Sequence, residues 1–401
     1  MTVIDLHILQ AYPPSLLNRD DMGQPKTVVF GGTTRTRVSS QSLKRAQRLY
    51  TSAHDLVPAE HLATRTRHLP AMLADRLVNH HGLTAQDSLT LALNTVWGMG
   101  LLNTAGDARR TTVLLFLGLG EVNAIASVVA SRKDELLGCA VPADRLGAPA
   151  EAEPPKPRDT RQRKGDCPAI FRDLGRHALG STDPTSVVDV ALYGRFLAED
   201  HRVDVDGASS TAHAFSAGEH HLELDYFTAV DDMEERGAGF LDTASLTAPL
   251  LYRYSNLDTT ALLRNLGGNG ELASVAATAW LTAAVHAVPR AKNTSTAPVT
   301  RPLLVFAAVR DDQAFSMANA FLRPVYATRQ TGEAQAAISA LAGHWRQHGD
   351  AYGHAGVRAT HLVHVGDSAD LPPDLPAKVL PASEFVVQTA ARALERESVA
   401  P

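Results

Sequence analysis

NRDDMGQPKTVVFGGTTRTRVSSQSLKRAQRLY, residues Asn18–Tyr50, gathers Arg19, Lys26, Arg35, Arg37, Lys44, Arg45 and Arg48 against only Asp20 and Asp21, in a chain whose formal net charge is −5. Phosphate polymers are bound by cations concentrated along their backbone, so a basic cluster in an acidic chain predicts a polyanion site. The stretch also dictates local structure. The apolar triplet Val28-Val29-Phe30 meets Gly31-Gly32 and the polar segment Thr33 to Arg37, which predicts a short extended segment ending in a turn. Ser39-Ser40 ahead of QSLKRAQRLY is a helix start with a capping hydroxyl. On that helix Leu43, Ala46 and Tyr50 share one face and Gln41, Lys44, Arg45 and Arg48 another. One face is expected to pack and the other to be cationic.

Upstream, Val3 to Ala11 alternates apolar residues with Asp5, His7 and Gln10, the pattern of a strand, and Pro13-Pro14 stops it. Downstream, Ala59 to Gly138 has largely helical periodicity, which predicts a helical subdomain. Val141 to Pro168 changes to prolines among charges and reads as an exposed insertion. Leu222 to Val230 alternates again; with Gly237, Gly239 and Phe240-Leu241 it predicts a protruding hairpin. Strands are expected at Leu250–Tyr254 and Leu303–Val309, and helices at Leu257–Leu266, Glu271–Val288 and Ser383–Glu397.

With 401 residues, 44% hydrophobic and 20% charged, the chain has the composition of a folded protein of two or three domains. Cys139 and Cys167 offer neither a CxxC spacing nor a disulfide framework, which suits a reducing cytoplasm. The amino terminus lacks secretory-signal character, and the most apolar run, Thr111 to Ala130, is broken by Gly118, Gly120, Glu121 and Asn123. A soluble cytoplasmic protein is expected. The 17 histidines show no HExxH or Cys/His ligand spacing, so no metal and no cofactor are expected. Asp231-Asp232 with Glu234-Glu235 could hold Mg²⁺ for RNA cleavage, the seed of an alternative metal-dependent endoribonuclease reading. Gly118-Leu119-Gly120 is half a dinucleotide fingerprint, and Gly31-Gly32 could cradle a small phosphate, although no Walker lysine follows.

The run NRDD-G-PK…FGG…R-R-SSQSLKRA at Asn18 to Ala46 resembles the backbone subunit of the type I-E CRISPR surveillance complex, the CasC family of Cascade. Matching motifs follow in the family's order: VDVALYGR at Val188 to Arg195, VDGASSTAHAFS at Val205 to Ser216, LDYFTAVDD at Leu224 to Asp232, LLYRYSNLD at Leu250 to Asp258, and SMANAF at Ser316 to Phe321. They span most of the chain, although the helical middle and the proline-rich insertion match poorly. The resemblance implies an α+β protein with a modified RNA-recognition-motif (ferredoxin-like) palm, an inserted helical fingers domain and a thumb β-hairpin. The palm takes residues 1–58, 209–220 and 251–401. The fingers take 59–208, with the insertion near 141–168, and the thumb takes 221–250.

It further implies a non-catalytic scaffold that oligomerises along a CRISPR guide RNA (crRNA) and presents its bases for pairing with target DNA in antiviral defence. The partners are then the crRNA, neighbouring copies of the chain, other Cascade subunits and, through the guide, the target DNA strand, with no membrane. Backbone recognition needs cations and neutral donors on phosphates, without reading of base edges. Arg19, Lys26, Arg35, Arg37, Lys44, Arg45 and Arg48 are the expected RNA-binding cations, and Asn18, Ser39, Ser40 and Gln41 the donors. Backbone N–H groups at the helix start are expected to add to them. By the family motifs Phe196 and Phe227 stand where apolar wedges displace a base, since unstacking costs a few kcal/mol that an apolar contact offsets in part.

Overall fold

The computed structural model describes residues 1–103, 107, 109–146, 167–180, 183–196, 203–230, 233, 238–375 and 378–395. The chain divides into two compact units, Met1–Leu56 with Ser209–Leu262 and Ala273–Pro401, and Val57–Ala208 with Leu263–Leu272. In chain order the first unit opens with β1 (Val3–Ala11), β2 (Thr27–Phe30), β3 (Thr33–Val38) and α1 (Ser40–Ala53). The second carries β4 (Ala63–Thr66), α2 (Leu69–His81), α3 (Ala85–Gly98), β5 (Leu115–Gly118), α4 (Leu119–Ser131), α5 (Lys133–Cys139), α6 (Ala169–Gly180) and α7 (Val188–Tyr193). Then come β6 (Ser209–Thr211), β7 (Ala214–Ser216), β8 (Glu223–Val230), β9 (Ala238–Leu246), β10 (Leu250–Asp258), α8 (Thr259–Asn265), α9 (Gly270–His286) and α10 (Asn293–Thr296). The chain closes with β11 (Leu304–Arg310), α11 (Glu333–Tyr352), β12 (Val357–His364), β13 (Lys378–Val379) and α12 (Ala382–Leu394).

A mixed 9-stranded sheet runs β13-β12-β11-β1-β10-β7-β3-β2, with β6 also on β10. Only the β12–β13 pair is parallel. The alternation of β1 correctly marks a strand, but its polar residues, Asp5 and His7 on one face and Gln10 on the other, do not meet water. β1 lies between β10 and β11, and Asp5, His7 and Gln10 are all buried. Buried polar groups need partners. The Tyr254 hydroxyl donates to Asp5 Oδ1 at 2.6 Å and the Phe315 N–H to Oδ2 at 3.0 Å. His7 Nδ1 pairs with the Tyr252 hydroxyl at 2.9 Å, and its ring stacks near Tyr254 and Phe306. Burial pushes the Asp5 carboxyl up to about 7, and burial holds the His7 imidazole down at about 3. Above the face that carries Asp5, His7 and Leu9 lies α11, through Ala337, Ile338, Leu341, Ala342 and Trp345. Neither α11 nor β12 is among the elements expected from the sequence.

The second unit is helical, as its periodicity predicts, with Leu69, Leu73 and Leu77 of α2, Leu91 and Val96 of α3, Val122, Ile125 and Val129 of α4, and Phe171 and Leu174 of α6 in one core. It also holds the antiparallel pair β4–β5, too short for periodicity to mark. Gly118 begins α4, its N–H donating to Glu121 Oε2 at 2.8 Å. A Cβ there would lie 2.5 Å from Val187, so the half fingerprint reflects close packing and not a phosphate loop. Glu121 in turn accepts from Arg195 Nη1 at 2.7 Å with both side chains buried. Residues 147–166 of the proline-rich insertion, and Asp231, Asp232, Glu234 and Glu235, lie outside the described residues. No described helix is long and apolar enough to cross a membrane. Among the described residues no group of three His, Cys, Asp or Glu could hold a metal ion.

Candidate nucleic-acid interface

Gly31 and Gly32 join β2 to β3, with φ of 61° and 83°. Positive φ at both positions of a two-residue connection is the twist-matched hairpin turn, which glycine reaches without strain. A Cβ on Gly31 would fall 1.7 Å from the Leu322 carbonyl oxygen. The pair is therefore accounted for by the turn and this close approach. Ser39 then caps α1, its Oγ accepting from the Ser42 N–H at 3.3 Å. Asn18 Oδ1 accepts from the Ser39 N–H at 2.9 Å, and its carbonyl accepts from the Lys26 N–H at 2.9 Å. Asp20 closes the same loop by accepting from Met22 and Gln24 N–H groups at 3.0 and 2.8 Å. Asn18 and Ser39 thus spend their side chains on shaping the loop and the helix start.

The result is an open recess lined by Arg19, Asp20, Asp21, Lys26, Thr27 and Arg37. Arg37 Nε donates to the Thr27 carbonyl at 3.3 Å and its Nη1 contacts His213 Nδ1 at 3.2 Å. The Ser40 N–H donates to the same His213 Nδ1 at 3.1 Å. With two donors aimed at Nδ1, the imidazole is the neutral tautomer protonated on Nε2. Partial burial, then the Arg37 and Lys26 charges, hold its pKa below the usual value. His213 is a site residue that charge counting misses, although it stands in the matched stretch Val205 to Ser216 and could have been drawn from there. It also corrects one expectation: of the N–H groups at the helix start, that of Ser40 is taken by His213 and that of Ser42 by the Ser39 cap.

Arg35, expected among the RNA-binding cations, is not one. It is 0% exposed. Nη1 donates to the Ser216 and Gly218 carbonyls at 3.0 and 3.2 Å and to Ala217, Nη2 to the Phe321 carbonyl at 3.0 Å, and Nε to Thr33 Oγ1 at 2.8 Å. A guanidinium holding four carbonyls fastens β3 to two distant segments, and at 0% exposure it is out of a phosphate's reach. Arg253 and Arg195, in the matched stretches Leu250 to Asp258 and Val188 to Arg195, are likewise buried, on Gln10 and the Ala284 carbonyl and on Glu121 respectively.

On α1 the buried stripe is Leu43, Gln47 and Thr51; Leu43 is as expected, and the other two lie one residue beyond the expected Ala46 and Tyr50. Gln41 and Arg45 are exposed, while Lys44 and Arg48 are half-buried. Burial pulls the Lys44 ammonium below its usual value, because desolvation disfavours the charged form. β3 ends at Val38 and α1 begins at Ser40, so the Arg37 recess and the cationic helix face adjoin along the chain.

β8 and β9 form a separate two-stranded hairpin. Leu224, Tyr226 and Leu241 are 69%, 64% and 55% exposed on one face. On the other, Phe227 and Phe240 have ring centroids 6.2 Å apart, and Lys292 Nζ stands 5.9 Å from the Phe227 centroid. Phe196, in the other unit, is 73% exposed. Large apolar side chains displayed this way mark a contact surface.

A family model described as CT1975-like protein matches residues 4–376. Among solved structures, a chain of a complex described as "CRISPR RNA-guided surveillance complex, pre-nicking" is 30% identical, with a TM-score of 0.78 over 97% of this chain and 100% of that one. A chain of a second "CRISPR RNA-guided surveillance complex" is 27% identical, with a TM-score of 0.69 over 97% and 99%. No curated protein matches.

Proposed function

The chain belongs to the CT1975-like protein family, and from that premise we propose that it is a non-catalytic guide-RNA-binding backbone subunit of a type I-E Cascade complex. In this reading the sheet of the first unit is a modified RNA-recognition-motif palm, the second unit is the helical fingers, and the β8–β9 hairpin is the thumb. The complexes it resembles are described as RNA-guided. The observation that carries the reading is the Arg19–Lys26–Arg37 recess, joined at Ser39-Ser40 to the cationic face of α1. Such a surface neutralises phosphates and leaves base edges to pair with target DNA. Copies assemble side by side on one crRNA. The exposed apolar faces of the hairpin support its closing over RNA held by a neighbour, with Phe196 and Phe227 as wedges.

Anisotropy titrations of the full-length chain against labelled single-stranded RNAs of unrelated sequence test this. Lys44→Ala with Arg48→Ala weakens binding to all of them alike and lowers the log–log salt slope by about 0.7 per lost phosphate contact. Sequence-selective loss contradicts phosphate recognition. Matching RNA incubated with the chain and Mg²⁺ stays intact; cuts abolished by Asp231→Ala or Asp232→Ala would establish the endoribonuclease instead.

A further inference from the structure

His213, between β6 and β7, meets both β3 and α1 through a single atom. Its Nδ1 stands 3.2 Å from Arg37 Nη1 and 3.1 Å from the Ser40 nitrogen. A neutral imidazole has one acceptor nitrogen with one lone pair, so the two donors share it. Both contacts lie at the long end of the hydrogen-bond range, which fits a divided acceptor. Arg37 has a separate anchor, its Nε on the Thr27 carbonyl at 3.3 Å. Its Nη1 can therefore turn to a new acceptor while the side chain stays in place.

The surroundings also make the shared nitrogen a poor base. Partial burial, then Arg37 on β3 and Lys26 in the loop before β2, hold the imidazole below its usual 6.5. From α1 the contact is the uncharged Ser40 N–H, and Asp20 and Asp21 share the recess walls with Lys26 and Arg37. The His213 ring is exposed, so solvent reaches it. All these residues belong to the first unit.

We propose that His213 is a proton-coupled positioning residue: in the RNA-free chain its neutral Nδ1 holds Arg37 Nη1 and the first N–H of α1, and a phosphate bound in the recess takes both donors and leaves one proton on His213. Phosphate oxygens carry several lone pairs and a negative charge, so they outcompete one neutral nitrogen for a guanidinium and a helix-start N–H. The released Nδ1 lone pair accepts a proton from solvent, because the phosphate offsets the charges of Arg37 and Lys26 and favours the imidazolium. The ring then donates from both nitrogens and adds a cation to the recess. The inference rests on the RNA-binding reading above and adds to it a residue and a proton. Its sign is fixed: the bound chain holds the extra proton, so affinity falls as pH rises across 6.5.

The test is anisotropy of the full-length chain on labelled oligouridine from about pH 5.5 to 8.5 at constant ionic strength. Calorimetry near pH 6.5, in buffers of different ionisation heat, counts the protons taken up on binding. The parent's affinity is expected to fall at least about threefold between pH 6 and 7, within the ceiling of about tenfold that one proton sets, with net proton uptake in the calorimeter. His213→Asn keeps an acceptor and cannot take the proton, so it flattens the profile and removes the uptake. RNA binding by the parent without proton uptake overturns the inference while the RNA-binding reading stands. A His213→Asn profile as steep as the parent's also overturns it, since another group then carries the proton. No binding at any pH overturns both.

Discussion

Arg35 and Arg37 stand two residues apart on β3, and the structure assigns them opposite consequences on substitution. Arg35→Ala withdraws a buried guanidinium from four carbonyls. Two of these keep another donor: the Val325 N–H on Ala217 at 3.0 Å and the Ser216 hydroxyl on Gly218 at 2.7 Å. The cost is therefore set by the Ser216 and Phe321 carbonyls and the void left behind. At about 1–3 kcal/mol for each buried group deprived of its partner, the total is about 4 kcal/mol. That is a large part of the roughly 5–15 kcal/mol by which folded proteins are stable. Arg37 is half-buried beside the recess, on the Thr27 carbonyl and His213. Arg37→Ala leaves stability within about 1 kcal/mol and lowers the RNA salt slope by about 0.7. Urea denaturation and anisotropy at several salt concentrations, on both variants, separate the two effects. If Arg35→Ala flattened the salt slope at unchanged stability, the assignment of Arg35 to the interior would be refuted.

Asp5 and His7 oppose each other in pH dependence. The folded state holds the Asp5 proton up to about 7 against an ordinary 3.8, so the stability Asp5 contributes is lost as pH rises across that window. His7 stays neutral down to about 3 against an ordinary 6.5, so its contribution is lost as pH falls through 6.5. Between about pH 4 and 6.5 the slopes largely cancel; Asp5→Asn uncovers the His7 slope, adding roughly 2–3 kcal/mol from pH 4.5 to 6.5, and a flat denaturation profile for that variant counts against the coupling. Glu121→Gln strands the buried Arg195 guanidinium and costs about 3–5 kcal/mol in the second unit, read as early proteolysis there; an unchanged cleavage pattern means the pair is not structural.

Much of this was legible in the sequence, and the failures share a cause. The β1 alternation, the paired glycines, the Ser39 cap and the β8–β9 hairpin are local signals, and each produces its element. What β1 could not disclose is that Asp5 and His7 face a second layer, because α11 arrives from more than 300 residues away. Arg35 and Arg37 have the same chemistry and nearly the same neighbours. Only the Ser216–Gly218 and Phe321 carbonyls, distant in sequence, bury one of them. His213 was missed because it does not sit in a run of like charge. Conversely, the collinear motifs mark the fold as much as the site, since Arg195 and Arg253 within them are interior groups.

Native mass spectrometry of the chain purified after co-expression with a guide RNA tests the central claim most directly. Several copies on one intact RNA, with the copy number falling when Lys44 and Arg48 are both alanine, is the predicted result. An RNA-free chain, or one carrying RNA cut into short fragments, would contradict it.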